Sequence, residues 1–230
     1  MSKLVVSNLS INRSELPVVS SVDISVESGA ISVVLGANGA GKTTLLEGLS
    51  GIIPVAGGSI AIDGREIQKV RPGVRSREGL AHVEQGRTVF RQLTTEENLK
   101  VSLHPGSDLA EAYALFPELL QRRTVKASLL SGGEQQMLVI ARALLTRPKV
   151  LLIDEMSAGL APVIVTRLMT AVRKLADNGL AVLLVEQFAA LALSIGNRAY
   201  VMRRGRVVHD GDCMQLLKSP DELHRLYLGG

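Results

Sequence analysis

Tryptophan is absent from these 230 residues, and there are only three phenylalanines and three tyrosines. So few rings leave no stacking platform beside the basic cluster "RRGR" (203–206), and this weighs against a nucleic-acid contact there. Cys213 is the sole cysteine, which excludes an internal disulfide and fits a reducing compartment. The four histidines, His82, His104, His209 and His224, are scattered without the spacing of zinc ligands. No apolar run approaches the ~20 residues that span a bilayer. The opening "MSKLVVSNLS" lacks the apolar stretch of a signal peptide. If the protein works at a membrane, other chains must carry it there. Repeats and low-complexity tracts are also missing, which argues against disorder.

What is present is a chain 46% hydrophobic, sufficient for one well-buried domain or a small two-lobed one. The formal net charge of +4 suits an anionic ligand, a nucleic acid, an acidic membrane surface or an ordinary basic enzyme. Short β-branched segments alternate with helical patterns. "AISVVLG" (30–36), "KVLLIDE" (149–155) and "LAVLLVEQ" (180–187) read as buried strands, whereas "GKTTLLEGLSG" (41–51) and "VIVTRLMTAVRKLADNG" (163–179) read as helices. "GGSIAIDGREI" (57–67) reads as two short strands around an Asp63-Gly64 turn. Such alternation predicts an α/β fold with a mostly parallel sheet. From Gln85 to Leu145 the periodicity is helical, with Met137, Ala141, Leu144 and Leu145 on one face. We therefore expect a single domain over 1–230, with core segments 1–84 and 146–230 and an inserted helical subdomain at 85–145. "LHPGSDLA" (103–110) reads as a loop, and "RRGR" (203–206) as a solvated hairpin turn.

"GANGAGKT" (36–43) matches G-x-x-x-x-G-K-[ST] and stands between a predicted strand and a predicted helix. Its glycines let the chain curl so that successive N–H groups surround phosphate oxygens at a helix N-terminus. Gly36, Ala37, Asn38, Gly39, Ala40, Gly41, Lys42, Thr43 and Thr44 are the predicted nucleotide contacts. Lys42 supplies charge to the outer phosphates, and the Thr43 hydroxyl is offered to Mg²⁺. "LLIDE" adds a carboxylate at a strand end, Asp154, as a second Mg²⁺ ligand. Glu155 is the candidate base for an attacking water. A P-loop nucleotide hydrolase follows. Kinases, GTPases and transport ATPases are not separated at this point.

"LLSGGEQQM" (129–137) places two glycines at the start of a helix, where each costs about 1 kcal/mol relative to alanine. A capping box between Ser131 and Glu134 explains the serine and the glutamate. It leaves Gly132 and Gly133 unexplained, since a bare helix end admits a bulky anion to the backbone amides. One phosphate loop is already present. The economical reading gives this helix end to a nucleotide held by another subunit.

"LSGGE" together with "GANGAGKT", "LLIDE" and "LLVEQ" resembles the nucleotide-binding subunit of ATP-binding cassette (ABC) transporters, from about residue 3 onward. The resemblance implies a P-loop NTPase cassette with a small antiparallel β subdomain. It also implies ATP and Mg²⁺, and two cassettes packed head to tail. Ser131, Gly132 and Gly133 would then meet the partner's ATP. Gln85 in "HVEQGRTVF" falls at the position that touches Mg²⁺ and water and relays nucleotide state to the membrane subunit. "SAGLAP" (157–162) matches the loop that crosses the dimer interface.

Within the family, "LSGGEQQMLVIARALLTRPKVLLIDEMSAGLAP", "LLVEQ" and the terminal "YLGG" are most similar to ATPase subunits of branched-chain amino acid importers. Urea and short-amide importers carry similar cassettes. The implied partners are a second cassette, preferably a different chain though a second copy would serve, transmembrane permease subunits and, indirectly, a solute-binding protein. No nucleic acid is expected. The implied place is peripheral, on the cytoplasmic face of the membrane. A soluble cassette acting on nucleic acid or the ribosome, and a small-molecule kinase, are the rival classes. Three positions depart from the family. Gln187 replaces the usual switch histidine and would bond the γ-phosphate without titrating near neutral pH. Arg13 stands where an aromatic ring usually covers adenine, so weak discrimination among purines is expected. Met156 replaces a proline and should change loop rigidity without loss of chemistry.

Overall fold

The computed structural model describes residues 2–228. In chain order it forms β1 (Ser2–Arg13), β2 (Leu16–Glu27), β3 (Ile31–Leu35), α1 (Lys42–Ser50), β4 (Gly57–Ile62), β5 (Arg65–Glu66), α2 (Pro72–Arg77) and β6 (Leu80–Val83). Then come α3 (Thr95–Lys100), α4 (Leu109–Leu115), α5 (Pro117–Gln121) and α6 (Gly132–Leu145). The chain closes with β7 (Val150–Asp154), α7 (Pro162–Asp177), β8 (Ala181–Val185), α8 (Ala189–Ile195), β9 (Arg198–Arg203), β10 (Arg206–Asp212), α9 (Cys213–Leu217) and α10 (Pro220–Leu228). The glycines that end "YLGG" lie outside the described residues.

Two sheets result. The larger runs β10-β9-β3-β8-β7-β6, and the smaller, antiparallel one runs β2-β1-β4-β5. All pairings inside the larger sheet are parallel except β9 with β10. Strands β3, β7 and β8 are buried at every position, which is why their sequences show continuous aliphatic runs with no alternation. Their two faces feed separate cores. Ile31, Val33, Leu151, Ile153, Val182 and Leu184 pack with α6, α7 and α8. Val34, Val150, Leu152 and Leu183 pack with Leu45, Leu46 and Leu49 of α1 and the antiparallel sheet.

Between β6 and β7 the described elements are helical. α6 is buried more widely than a single stripe, with Gln136 through Ala141 all inaccessible, because it crosses beneath the other helices of this region. The predicted loop at 103–110 is shorter than expected. Asp108 accepts from Ala110 N and forms a capping box with Glu111, so α4 begins at Leu109. The sequence reading also missed α9 and α10.

Two polar side chains, Arg75 buried and His82 half-buried, tie α1 to its neighbours. Arg75 is 3% exposed and donates to the oxygens of Gly48 (2.7 Å), Leu49 (2.7 Å), Gln68 (2.8 Å) and Val70 (3.1 Å). It supplies donors to carbonyls that the end of a helix leaves unpaired. His82 on β6 places Nδ1 3.1 Å from the Ser50 hydroxyl, while its Nε2 is buried with no partner. Burial pushes its pKa down to about 4 from 6.5.

Because the unfolded chain protonates His82 near 6.5 and the folded chain resists until about 4, its stabilising effect is complete above pH 6.5. That effect is lost as the pH falls towards 4, by at most about 3 kcal/mol. Urea unfolding at pH 7.5 and 4.5 should show a larger acid loss for the natural chain than for His82→Gln. Equal losses would place the titration elsewhere.

Candidate nucleotide site

Strands β3, β8 and β7 are neighbours that end at the same edge: Val34 and Asp154 both lie opposite Val185. Ligands of open α/β sheets bind at the carboxyl ends of such strands. The phosphate loop leaves β3 and the acids leave β7, so β8 lies between them and delivers Glu186 to the gap.

The loop needs its glycines. Gly36 has φ +151°, and a β-carbon there would come 2.3 Å from the Met202 carbonyl oxygen. Gly41, at φ +101°, caps α1 without any side-chain hydrogen bond, leaving the first amides of the helix open for an anion. The β9–β10 turn supports the loop from behind. Gly205 N donates to Ala40 O at 2.9 Å and Ser20 N to Gly205 O at 2.8 Å. Thus "RRGR" is a hairpin turn, but its Gly205 is buried, not solvated.

Lys42 folds over this loop. Its Nζ donates to Gly36 O (2.8 Å) and Ala37 O (3.3 Å) and stands 3.9 Å from Glu155 Oε1. Burial lowers its pKa, and the charges of Glu155 and Asp154 oppose that shift. Gln85 Nε2 donates to Glu155 Oε2 at 2.9 Å. Lys42, Glu155 and Gln85 therefore form a polar chain across one cleft of about 330 Å³, whose wall includes Asn38, Thr43 and Thr44. Glu155 itself is left-handed, φ +45°, a strained conformation found where a side chain must be aimed.

Asp154 is 1% exposed, and its Oδ1 has no hydrogen-bond partner. Burial raises its pKa, while the Thr43 hydroxyl and Lys42 hold it down. A buried, unpartnered carboxylate oxygen beside a threonine hydroxyl fits a hard divalent cation. Asp154, Thr43 and Gln85 would hold Mg²⁺, which supplies charge neutralisation to phosphate oxygens when bound.

Sequence reasoning missed Glu186. It is fully buried and accepts from Ser157 N (3.1 Å), Ser157 Oγ (2.5 Å) and Gln187 N (3.3 Å). Burial raises its pKa against these bonds. It anchors the loop after β7. The only signal was an acid closing an aliphatic strand in "LLVEQ".

Other predicted residues lie apart from the cleft. The side chain of Gln187 is exposed. Arg13 is held by Glu47 and donates from Nε to Thr44 Oγ1 at 3.0 Å, so it borders the loop. Met156 is buried in the core. Ser131 caps α6 in the expected box with Glu134, but Ser131, Gly132 and Gly133 do not line the cleft. The two glycines also have neighbours in their own chain. A β-carbon on Gly132 would meet Arg87 Nη1 at 2.7 Å, and one on Gly133 would meet Ile164 Cγ2 at 2.7 Å. Anion access is thus not the only reason for glycine at these positions.

A family model described as ABC transporter matches residues 19–158. The high-affinity branched-chain amino acid transport ATP-binding protein BraG of Pseudomonas aeruginosa is 42% identical, covering 91% of this chain and 92% of its own length. The lipopolysaccharide export system ATP-binding protein LptB of Escherichia coli K12 is 34% identical over 100% of this chain and 98% of its own. A solved nucleotide-free ATP-binding cassette from an ABC transporter superposes over 100% of both chains with a TM-score of 0.88 at 24% identity, a likeness of fold.

Asp154→Asn keeps the shape and removes the charge. Magnesium-dependent ATP hydrolysis should fall about 100-fold or more. The thermal midpoint should hold or rise, since a buried carboxylate is relieved. Magnesium titration of hydrolysis and a melting curve check both halves; retained hydrolysis would remove Asp154 from the metal site.

Proposed function

This chain belongs to the ATP-hydrolysing, ATP-binding subunits of the ABC transporter family, and from that premise we propose that it powers import of a small polar solute, branched-chain amino acids foremost. One observation carries the mechanism. The phosphate loop, Asp154, Glu155 and Gln85 converge at one strand edge, while Ser131–Gly133 stand outside that cleft. Two such chains packed head to tail supply each other's missing half. Leu129 and Val163, 75% and 72% exposed, flank this surface as apolar ground for the second cassette.

In this reading ATP bound at two shared sites draws the cassettes together. Lys42 and the loop amides grip the phosphates, and Ser131 and Gly133 close on them from the other chain. Glu155, aimed by Gln85 and Lys42, positions or deprotonates the attacking water. Gln187 bonds the γ-phosphate without exchanging a proton. Hydrolysis lets the cassettes part. Residues 85–145 act as the helical subdomain that passes this motion to permease subunits. A separate solute-binding protein selects cargo.

No helix among the described residues is long and apolar enough to cross a membrane. In this reading the subunit works peripherally, on the cytoplasmic face. Cassettes of urea or short-amide importers are the runner-up. The 34% likeness to the lipopolysaccharide export protein favours export as a second reading.

Glu155→Gln should bind ATP without turning it over and accumulate as a cassette dimer on a sizing column. It should do so with the cassette that co-purifies with it or with itself. Membrane vesicles holding the complex of the natural chain should take up labelled leucine with ATP inside. A persistent monomer removes the shared site. A dimer without leucine uptake redirects the cargo.

A further inference from the structure

Arg87 has no role so far, yet it touches two of the segments that do. It follows Gly86 (φ +100°) and is itself left-handed at φ +55°. Its Nη2 donates to Ala158 O at 2.8 Å, in the loop that Glu186 anchors through Ser157. Its Nη1 lies 2.7 Å from where a β-carbon on Gly132 would stand, and its Nη2 is 3.7 Å from the corresponding point on Gly159. The guanidinium therefore fills the gap between the start of α6 and the loop after β7, and Gly132 leaves it room. A second arginine fastens the same segment from the other direction. Arg142 on α6 donates to Thr88 O at 2.7 Å, and its guanidinium covers the Phe90 ring at 4.4 Å. Segment 85–90 is thus pinned to α6 at two points while Gln85, at its start, bonds Glu155.

We infer that Arg87 is a positioning residue of the shared nucleotide site. It bonds segment 85–90 to the loop after β7 and packs against the start of α6, so that Gln85, Glu155 and Ser131–Gly133 face a second cassette as one rigid surface. The inference rests on the two-cassette reading. A planar fork reaches both sides of the gap at once, which a lysine ammonium cannot do. It also gives Gly132 a task within its own chain: alanine there would push the guanidinium aside.

The test is made in the Glu155→Gln background, reading ATP-driven dimerisation on a sizing column. Adding Arg87→Ala should raise the ATP concentration for half-maximal dimer about tenfold, and Arg87→Lys should not restore it. MgATP affinity of the single chain should move less than twofold, which a general loss of folding would not allow. Gly132→Ala should share the defect, and the double variant should be no worse than the more severe single one. Unchanged dimerisation with Arg87→Ala, rescue by lysine, or defects that multiply in the double variant would overturn the inference. Failure of Glu155→Gln itself to dimerise would sink the two-cassette reading, and this one with it.

Discussion

A lysine ammonium bonded to the carbonyls of its own loop, with a carboxylate just beyond reach of a tight pair, is the contact on which the site depends. Lys42 spans Gly36, Ala37 and Glu155, and Gln85 continues the line from Glu155. Three segments far apart in sequence are joined by this chain of polar groups. It is possible only because β3, β8 and β7 lie side by side. Removing the lysine would take this donor from Gly36 O, leave Ala37 O with Ala40 N alone, and deprive Glu155 of its nearby positive charge. A phosphate arriving in the cleft competes for the same ammonium, so nucleotide binding and the aim of Glu155 are linked through one atom.

The fold was legible where one physical rule dominated. Short β-branched runs bounded by turn residues read as strands covered on both faces, and "GANGAGKT" has a backbone reason for each glycine. Residues that act through tertiary contact were not legible. Arg75 reads as one charge among several in "RPGVRSRE", and only the folded chain brings its guanidinium to the carbonyls that end α1. Glu186 stands next to a motif residue, but its partner Ser157 is 29 positions away. α9 and α10 were missed because five and nine residues are too short a window for a helical period to declare itself. Arg13 was singled out only by alignment to a ring, and its contacts with Thr44 and Glu47 became visible only in the folded chain.

The glycines at 132 and 133 show how two constraints can fall on one residue. A helix start that must admit an anion and a helix start that must clear Arg87 and Ile164 both demand the smallest side chain. The capping box of Ser131 and Glu134 restores order to a turn that two glycines would otherwise loosen. Packing is the demand the fold displays here, and the anion contact we propose would add a second demand with the same result in sequence.

The bond from Gly205 to the carbonyl of Ala40 has a consequence for how the protein is made. A ribosome releases Ala40 long before Gly205, and β9, which closes over Gly36, is also among the last strands to emerge. Contacts of such high sequence separation form late. The nascent chain thus carries its phosphate loop unfinished through most of synthesis, and competence for nucleotide comes only near the end of translation, when the hairpin arrives to seal it.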